Sequence, residues 1–314
     1  MTTTPITADS FPTPDLALRS TDPAELERVR AFAERQADAA GRLRTLLEPW
    51  LGLAERWDRV RLLRGVHAAA VRWRYELALR APGRLGVGIP LDAERFRTSL
   101  RDGGANMDRL GYLGRLRAGA EWDPTSRTYV GGASTPAHEV MLAYGQAAQD
   151  RFTAEGMWRD ILVNVVELPG GRPVKGNRLV RGAEAARVAA ELTGRIAARG
   201  GDASRVETGG DPVYAVTADP DDADVLFHVA LSVLADAHLL DRWERLRTWQ
   251  QARYLLYQAP RTKKGSDAVT RVFLVAVGAV LFGRAPVLEH DVDLRCMVLG
   301  QAAATEMPAD TALL

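Results

Sequence analysis

The sequence predicts a mainly α-helical protein with one small β-hairpin. Three observations predict it. Apolar residues recur at helical spacing through most of the chain, a period-two alternation stands out in one place, and Gly and Pro clusters cut the periodic runs into helix-sized pieces. The 314 residues are 46% apolar and 26% charged with a formal net charge of +1, a composition of folded globular chains that leaves no electrostatic footprint for nucleic acid. The single cysteine, Cys296, excludes an intrachain disulfide framework and suits a reducing compartment.

Residues 1–20 are rich in Thr, Pro and Asp and have neither a basic start nor an apolar run, so they are expected as a disordered polar tail rather than a secretory leader. The longest apolar stretch, 272–282, is too short to span a bilayer. A cytoplasmic chain without membrane or nucleic-acid partners is expected, its oligomeric state open, a homodimer included.

A first helix is expected after Asp22, which precedes Pro23 and then Glu25 and Glu27 in the turn where the helix dipole favours carboxylates. Across 48–81, Trp50, Leu53, Trp57, Val60, Leu63, Val66, Ala70, Trp73 and Leu77 form one helical stripe, with Gly65 a candidate interruption and Pro82-Gly83 the stop. The tryptophans suit core packing better than a ligand cage. Residues 82–135 are broken by Pro90, Gly103-Gly104, Gly111, Gly114, Pro124 and Gly131-Gly132, which leaves room for short helices and loops. A helix over 136–154 leads to the strand signal at Trp158, Ile161, Val163 and Val165. The turn Pro169-Gly170-Gly171-Arg172-Pro173, with Leu179 and Val180 beyond it, closes that strand into a hairpin. There follow a helix over 183–199, a polar linker over 208–222, and helices over 224–240, 241–257 and 268–282. The last is apolar on every face, the pattern of a central core helix.

Chemistry concentrates just before that helix. Only three of the 41 basic residues are lysine, and two of them, Lys263 and Lys264, are adjacent, with Arg261 before them and Gly265, Ser266, Asp267 and Arg271 after. The first N–H groups of a helix lack partners and its dipole is positive there, so this segment suits an anion such as phosphate. Ser266 or Asp267 as a plain N-cap would satisfy the same donors without a ligand. The lysines precede the Gly and no strand leads in, so this is not the Gly-x4-Gly-Lys phosphate loop.

The order of elements here resembles the core of the Fic/Doc family: a helix, a turn at a Gly, Arg271 in the first turn, and a long apolar helix leaving through Gly283-Arg284-Ala285-Pro286. The family's loop carries His-Pro-Phe-x-Asp/Glu-Gly-Asn-Gly/Lys-Arg-x-x-Arg. With Arg271 on its last Arg, Gly265 takes the first Gly and Lys264 the acidic position. Pro260 then stands in place of the catalytic His, Ser266 of Asn, Asp267 of Gly or Lys, and Ala268 of the first Arg. Gly156-Met157-Trp158-Arg159 resembles the lead into the family's flap, a hairpin that holds a target segment by strand addition, and His290-Asp291-Val292-Asp293 is similar to the acidic start of the next helix. The resemblance implies a Fic-like helical core over 150–314, with an N-terminal helical region over 21–149 added to it. It also implies a nucleotide such as ATP as ligand. A small-molecule or peptide substrate is expected, and no metal, since no His pairs with another His or with Cys at a metal spacing. The loss of the loop His removes the family's usual proton acceptor.

Two functions follow. The first is a divergent Fic-fold enzyme, a transferase or a relative recruited to small-molecule biosynthetic chemistry. In it Arg261, Lys263 and Lys264 supply charge, the N–H groups of Gly265, Ser266 and Asp267 cradle an anion, Arg271 clamps it, and the hairpin from Arg159 borders the pocket. His238, three residues before Asp241, is the candidate acid or base. The second is a catalytically silent nucleotide- or peptide-binding regulatory module on the same fold. Other constellations have plain alternatives. Asp219, Asp221, Asp222 and Asp224 suit either a divalent ion or an acidic helix start, and His290, Asp291 and Asp293 offer a similar mixed set. Cys296 lies in an apolar helical setting where a thiol is inert. Gly86-Val87-Gly88 lacks the third Gly of a dinucleotide fingerprint.

Overall fold

The computed structural model describes residues 5–20, 22–81 and 92–314; Pro82-Gly83, Gly86-Val87-Gly88 and Pro90 lie outside the described residues. Helix α1 (Pro23–Leu46) starts where expected: the Asp22 carboxylate accepts the Ala24 N–H at 2.8 Å, and Pro23 takes the first turn, where a missing N–H costs nothing. Helix α2 (Arg56–Leu79) starts later than the tryptophan stripe suggests. Trp50 sits before it in a 3-10 turn, fully buried with its indole N–H on the Ala235 carbonyl at 3.4 Å, whereas Trp57 is 69% exposed. Gly65 lies inside α2 and does not break it.

Beyond a 3-10 turn over Ala93–Phe96 come α3 (Leu100–Gly103), β1 (Met107–Leu110), β2 (Glu121–Asp123), β3 (Thr128–Val130), α4 (Pro136–Gly156), β4 (Ile161–Glu167) and β5 (Pro173–Val180). The chain continues as α5 (Gly182–Ala197), β6 (Val213–Val216), α6 (Pro220–Asp236), α7 (Arg242–Gln258), α8 (Ser266–Phe282), α9 (Val292–Val298) and α10 (Gln301–Thr305). The protein is mainly helical with a small sheet.

The expected hairpin is present as β4–β5, and it extends into an antiparallel sheet of order β1-β6-β5-β4. Strand β6 falls in the stretch expected as a polar linker. All four of its residues are buried, so no alternation marks it in the sequence. Leu110, Leu162, Leu179 and Ala215 pack with α4 and α9, while Val180, Tyr214 and Val216 pack with α5. Amides join the hairpin to the helices: Asn164 and Asn177 both donate to the Met297 carbonyl, at 3.0 and 2.8 Å, and the Gln258 side-chain carbonyl accepts the Asn177 N–H at 2.9 Å. A Cβ on Gly176 would lie 2.1 Å from that Gln258 oxygen, so only glycine allows the approach.

Helix α8 is the centre of the core, with α1, α2 and α7 packed on it and α6 packed against α2 and α7. The division expected at residue 150 is therefore not a packing boundary: α1 and α2 bury their apolar faces on the later helices, and β1 completes the sheet. The tail reading is also corrected over 5–20. Phe11 is 2% exposed in the core, the Leu288 N–H donates to the Ser10 carbonyl at 3.3 Å, and the Ala137 N–H to the Leu18 carbonyl at 3.0 Å. Phe11 anchors this polar segment, with Ile6, Ala8 and Leu16 packed beside the core. At the other end Arg253 and Asp310, 1% and 3% exposed, pair at 2.6 Å and fasten the C-terminal residues to α7. No described helix is long and apolar enough to cross a membrane.

His67 of α2 lies in this core, edge-on to Phe227 and Phe273 with centroids 4.8 and 5.4 Å away. Burial first, and the Arg261 charge second, push its imidazole down to about 3. From pH 6.5 down to about 3 the unfolded chain binds a proton that the folded chain refuses, so His67 lowers stability by about 1.4 kcal/mol per pH unit in that window and contributes nothing above it. His67→Met is expected to flatten the acid limb of urea midpoints measured from pH 6.5 to 4.5. An unchanged slope would contradict the neutral buried imidazole.

Candidate anion-binding site

The loop from Ala259 to Gly265 joins α7 to α8 and is held from three sides. Its backbone pairs with the segment before α3, the Lys263 N–H donating to the Thr98 carbonyl at 3.0 Å and the Leu100 N–H to the Arg261 carbonyl at 3.3 Å. Buried Thr262 donates to the Lys264 carbonyl at 2.9 Å, and the Ser266 hydroxyl donates back to the Thr262 carbonyl at 3.0 Å. Gly265 ends the loop in the left-handed region at φ 75°, where a Cβ would sit 2.7 Å from the Phe96 ring and 2.9 Å from Arg74 Cγ. Conformation and space both require glycine there.

Gly265 is the N-cap of α8 and no side chain caps the helix. The alternative of a plain Ser266 or Asp267 cap is thus not what forms. Ser266 is turned back into the loop, and Asp267 accepts Arg271 Nε at 2.8 and 3.0 Å and the Tyr257 hydroxyl at 3.0 Å. Arg271 is 2% exposed. Its two remaining nitrogens donate to the Glu289 and His290 carbonyls at 3.0 and 2.9 Å, and Asp293 lies 3.9 Å away. Burial opposes charge on Arg271, but Asp267, Tyr257 and Asp293 outweigh it and hold the guanidinium charged. Burial and the neighbouring Asp267 carboxylate push Asp293 up. Arg271 is a structural cation beneath the loop, not a free clamp above it.

A cavity of about 670 Å³ opens over this helix start, within the size range of small-molecule sites. Lys263, Lys264, Gly265, Ser266 and Asp267 line it, together with Arg95, Arg195 and Arg199 from elsewhere in the chain. Lys263 Nζ donates to the Gly104 and Ala105 carbonyls at 2.7 and 2.9 Å, and Arg195 donates to the same Ala105 carbonyl at 2.7 Å while pairing with Glu191 at 2.5 Å. These two cations brace the wall. Arg95, Arg199 and Lys264 form no ion pair with a described carboxylate. Lys264 instead places its ammonium 5.9 Å from the Phe96 ring centroid, with the Arg74 guanidinium 4.2 Å from the same centroid. Burial, then the surrounding arginines, push both Lys263 and Lys264 down to about 8. An anion entering here meets a charge deficit already built.

Asp293 lines this cavity, and the other expected residues lie apart from it. Arg261 turns to the Asp224 carboxylate and the Phe227 ring, 4.9 Å from its centroid. His238 packs edge-on to Trp50 at 5.8 Å in a turn after α6, and Asp241 caps α7 through the Glu244 N–H at 2.8 Å instead of orienting it. Arg159 is exposed ahead of β4 and does not line the cavity. Asp219 caps α6, and Asp221 and Asp224 hold Arg101 at 2.6 and 3.0 Å. His290 faces Asp15 at 3.6 Å, while Asp291 accepts the Tyr144 hydroxyl at 2.6 Å, so this second acidic set points in different directions. Burial pushes the Cys296 thiol up to about 12, the inert state expected of it.

Sequence reasoning missed Arg95, Arg195 and Arg199. The last two stand one helical turn apart at the end of α5, a spacing visible in the sequence, but nothing in it says which loop they face. Arg271→Ala is expected to cost about 3–5 kcal/mol in urea unfolding, because it strands two carboxylates under the loop. Lys264→Ala is expected to cost less than about 1 kcal/mol. Equal effects would return Arg271 to the role of a dispensable clamp. Set beside known proteins, the chain matches no family model and no curated protein.

Proposed function

We propose that the chain is a divergent Fic-like enzyme that acts on a phosphorylated or carboxylated small molecule held in the cavity over α8. One observation carries this reading: three cations without carboxylate partners, Arg95, Arg199 and Lys264, line the same cavity as the uncapped start of α8. Backbone N–H groups at a helix start and unpaired guanidinium groups are the donors that bind phosphate best. The loop resemblance supports the same ligand class, with ATP the first nucleotide to try.

A second reading, a catalytically silent nucleotide- or peptide-binding module, is favoured by two facts of the site. Among the described residues no imidazole lines the cavity, and Arg271 is spent on Asp267 and two carbonyls. The two readings share the ligand and differ in turnover.

Titration calorimetry with pyrophosphate and ATP tests the ligand. The double variant Arg95→Ala with Arg199→Ala is expected to weaken binding at least about tenfold, the loss of two charge-assisted contacts. The lysines are cationic below about pH 8 and neutral above it, so affinity is expected to hold from pH 6.5 to 7.5 and to fall steadily from pH 8 to 9.5. Identical weak heats for wild type and double variant would end the reading. Mass analysis of the ligand and the protein after incubation then separates enzyme from silent module.

A further inference from the structure

We propose that Lys264 is a nucleophilic amine that forms an imine with an anionic aldehyde or ketone bound in this cavity. The inference rests on the cavity taking an anion. The two adjacent lysines differ in what they are free to do. Lys263 Nζ is committed to the Gly104 and Ala105 carbonyls. Lys264 Nζ has no hydrogen bond or ion pair to a described residue, and its backbone is fixed because its carbonyl accepts the Thr262 hydroxyl at 2.9 Å. The amine therefore projects from a rigid loop with no carboxylate or hydrogen-bond acceptor among the described residues to hold it protonated, only the Phe96 ring at 5.9 Å.

Its surroundings favour the neutral form. The Phe96 ring, 3% exposed, supplies an apolar neighbour, and Arg74 shares that ring. Arg74, Arg95 and Arg199 all act against a positive charge on Lys264. Crowding by cations and removal from water are the two ways a protein makes a lysine nucleophilic near neutral pH. Arg95 and Arg199 line the cavity together with Lys264, so the charges that draw an anion bring its carbonyl carbon to the same wall as the amine.

In the step itself the Nζ lone pair attacks the carbonyl carbon and the carbonyl π electrons move to oxygen. Proton transfer from nitrogen to oxygen gives a carbinolamine, and loss of water leaves the C=N bond. No oxidant or reductant is consumed. Borohydride, added as a trap, delivers hydride to the imine carbon and fixes the link as a secondary amine.

The test uses two probes on the full chain at pH 8. Pyridoxal 5′-phosphate carries phosphate and aldehyde; pyridoxine 5′-phosphate carries the phosphate but only an alcohol. After borohydride reduction and peptide mapping, the aldehyde probe is expected to label Lys264 at least tenfold faster than exposed Lys175. Pyrophosphate should suppress the label. Lys264→Arg, which keeps the charge, should abolish it, and Lys175→Arg should retain it. Equal labelling of Lys264 and Lys175, or label carried by Lys263, overturns the proposal. Calorimetry with the alcohol probe separates the two failures: if it binds while Lys264 stays unlabelled, the imine inference alone is wrong, and if it does not bind, the anion-binding reading falls with it.

Discussion

The buried Arg271 guanidinium is the interaction on which the site depends. It ties the first turn of the core helix to the chain leaving that helix, because one planar group reaches Asp267 on one side and the Glu289 and His290 carbonyls on the other. Only a group with several fixed donors spans that geometry; a lysine has a single charged atom to offer. Its charge also lets Asp267 and Asp293 approach each other beneath the loop. Without it, partly exposed Asp267 and more deeply set Asp293 would face one another with no cation between them, and the loop above would lose its floor.

Committing Arg271 to structure leaves it beneath the loop and off the cavity lining. The cations that do line the cavity are arginines from a 3-10 turn and from the last turn of α5 and just beyond it, together with the loop lysines. The near-neutral total charge hides this arrangement, in which Asp267 is paired with Arg271 and Glu191 with Arg195. Among the described residues five cations and four carboxylates line the cavity, with Asp92 and Asp108 standing among the cations.

The helices were legible because each carries its own evidence: Asp22-Pro23 opens α1, and unbroken apolar composition identifies α8 as the centre. The hairpin was legible from alternation and its Gly-Gly turn. Strand β6 was not, because burial on both faces erases alternation and its flanks are polar. The docked N-terminal segment was not, because one Phe among polar residues carries no periodicity. At the site, the lysine pair stood out by rarity, and the loop does form a cavity wall. Arg261 and His238 were chosen on sequence proximity, and proximity failed: Arg261 is turned away by Asp224, and Asp241 is taken by its own helix start. Arg95, Arg195 and Arg199 have no local signal, for their relevance is created only by packing.

The bracing of the cavity wall by Lys263 and Arg195 on one carbonyl bears on how the chain reaches its final state. The groups that meet there come from three distant stretches of sequence, and all the mobile ones carry the same sign. Their encounter gains nothing early in folding, when loop closure is still costly and like charges repel. The wall therefore depends on the packing that brings the three stretches together and not on any local preference of the loop.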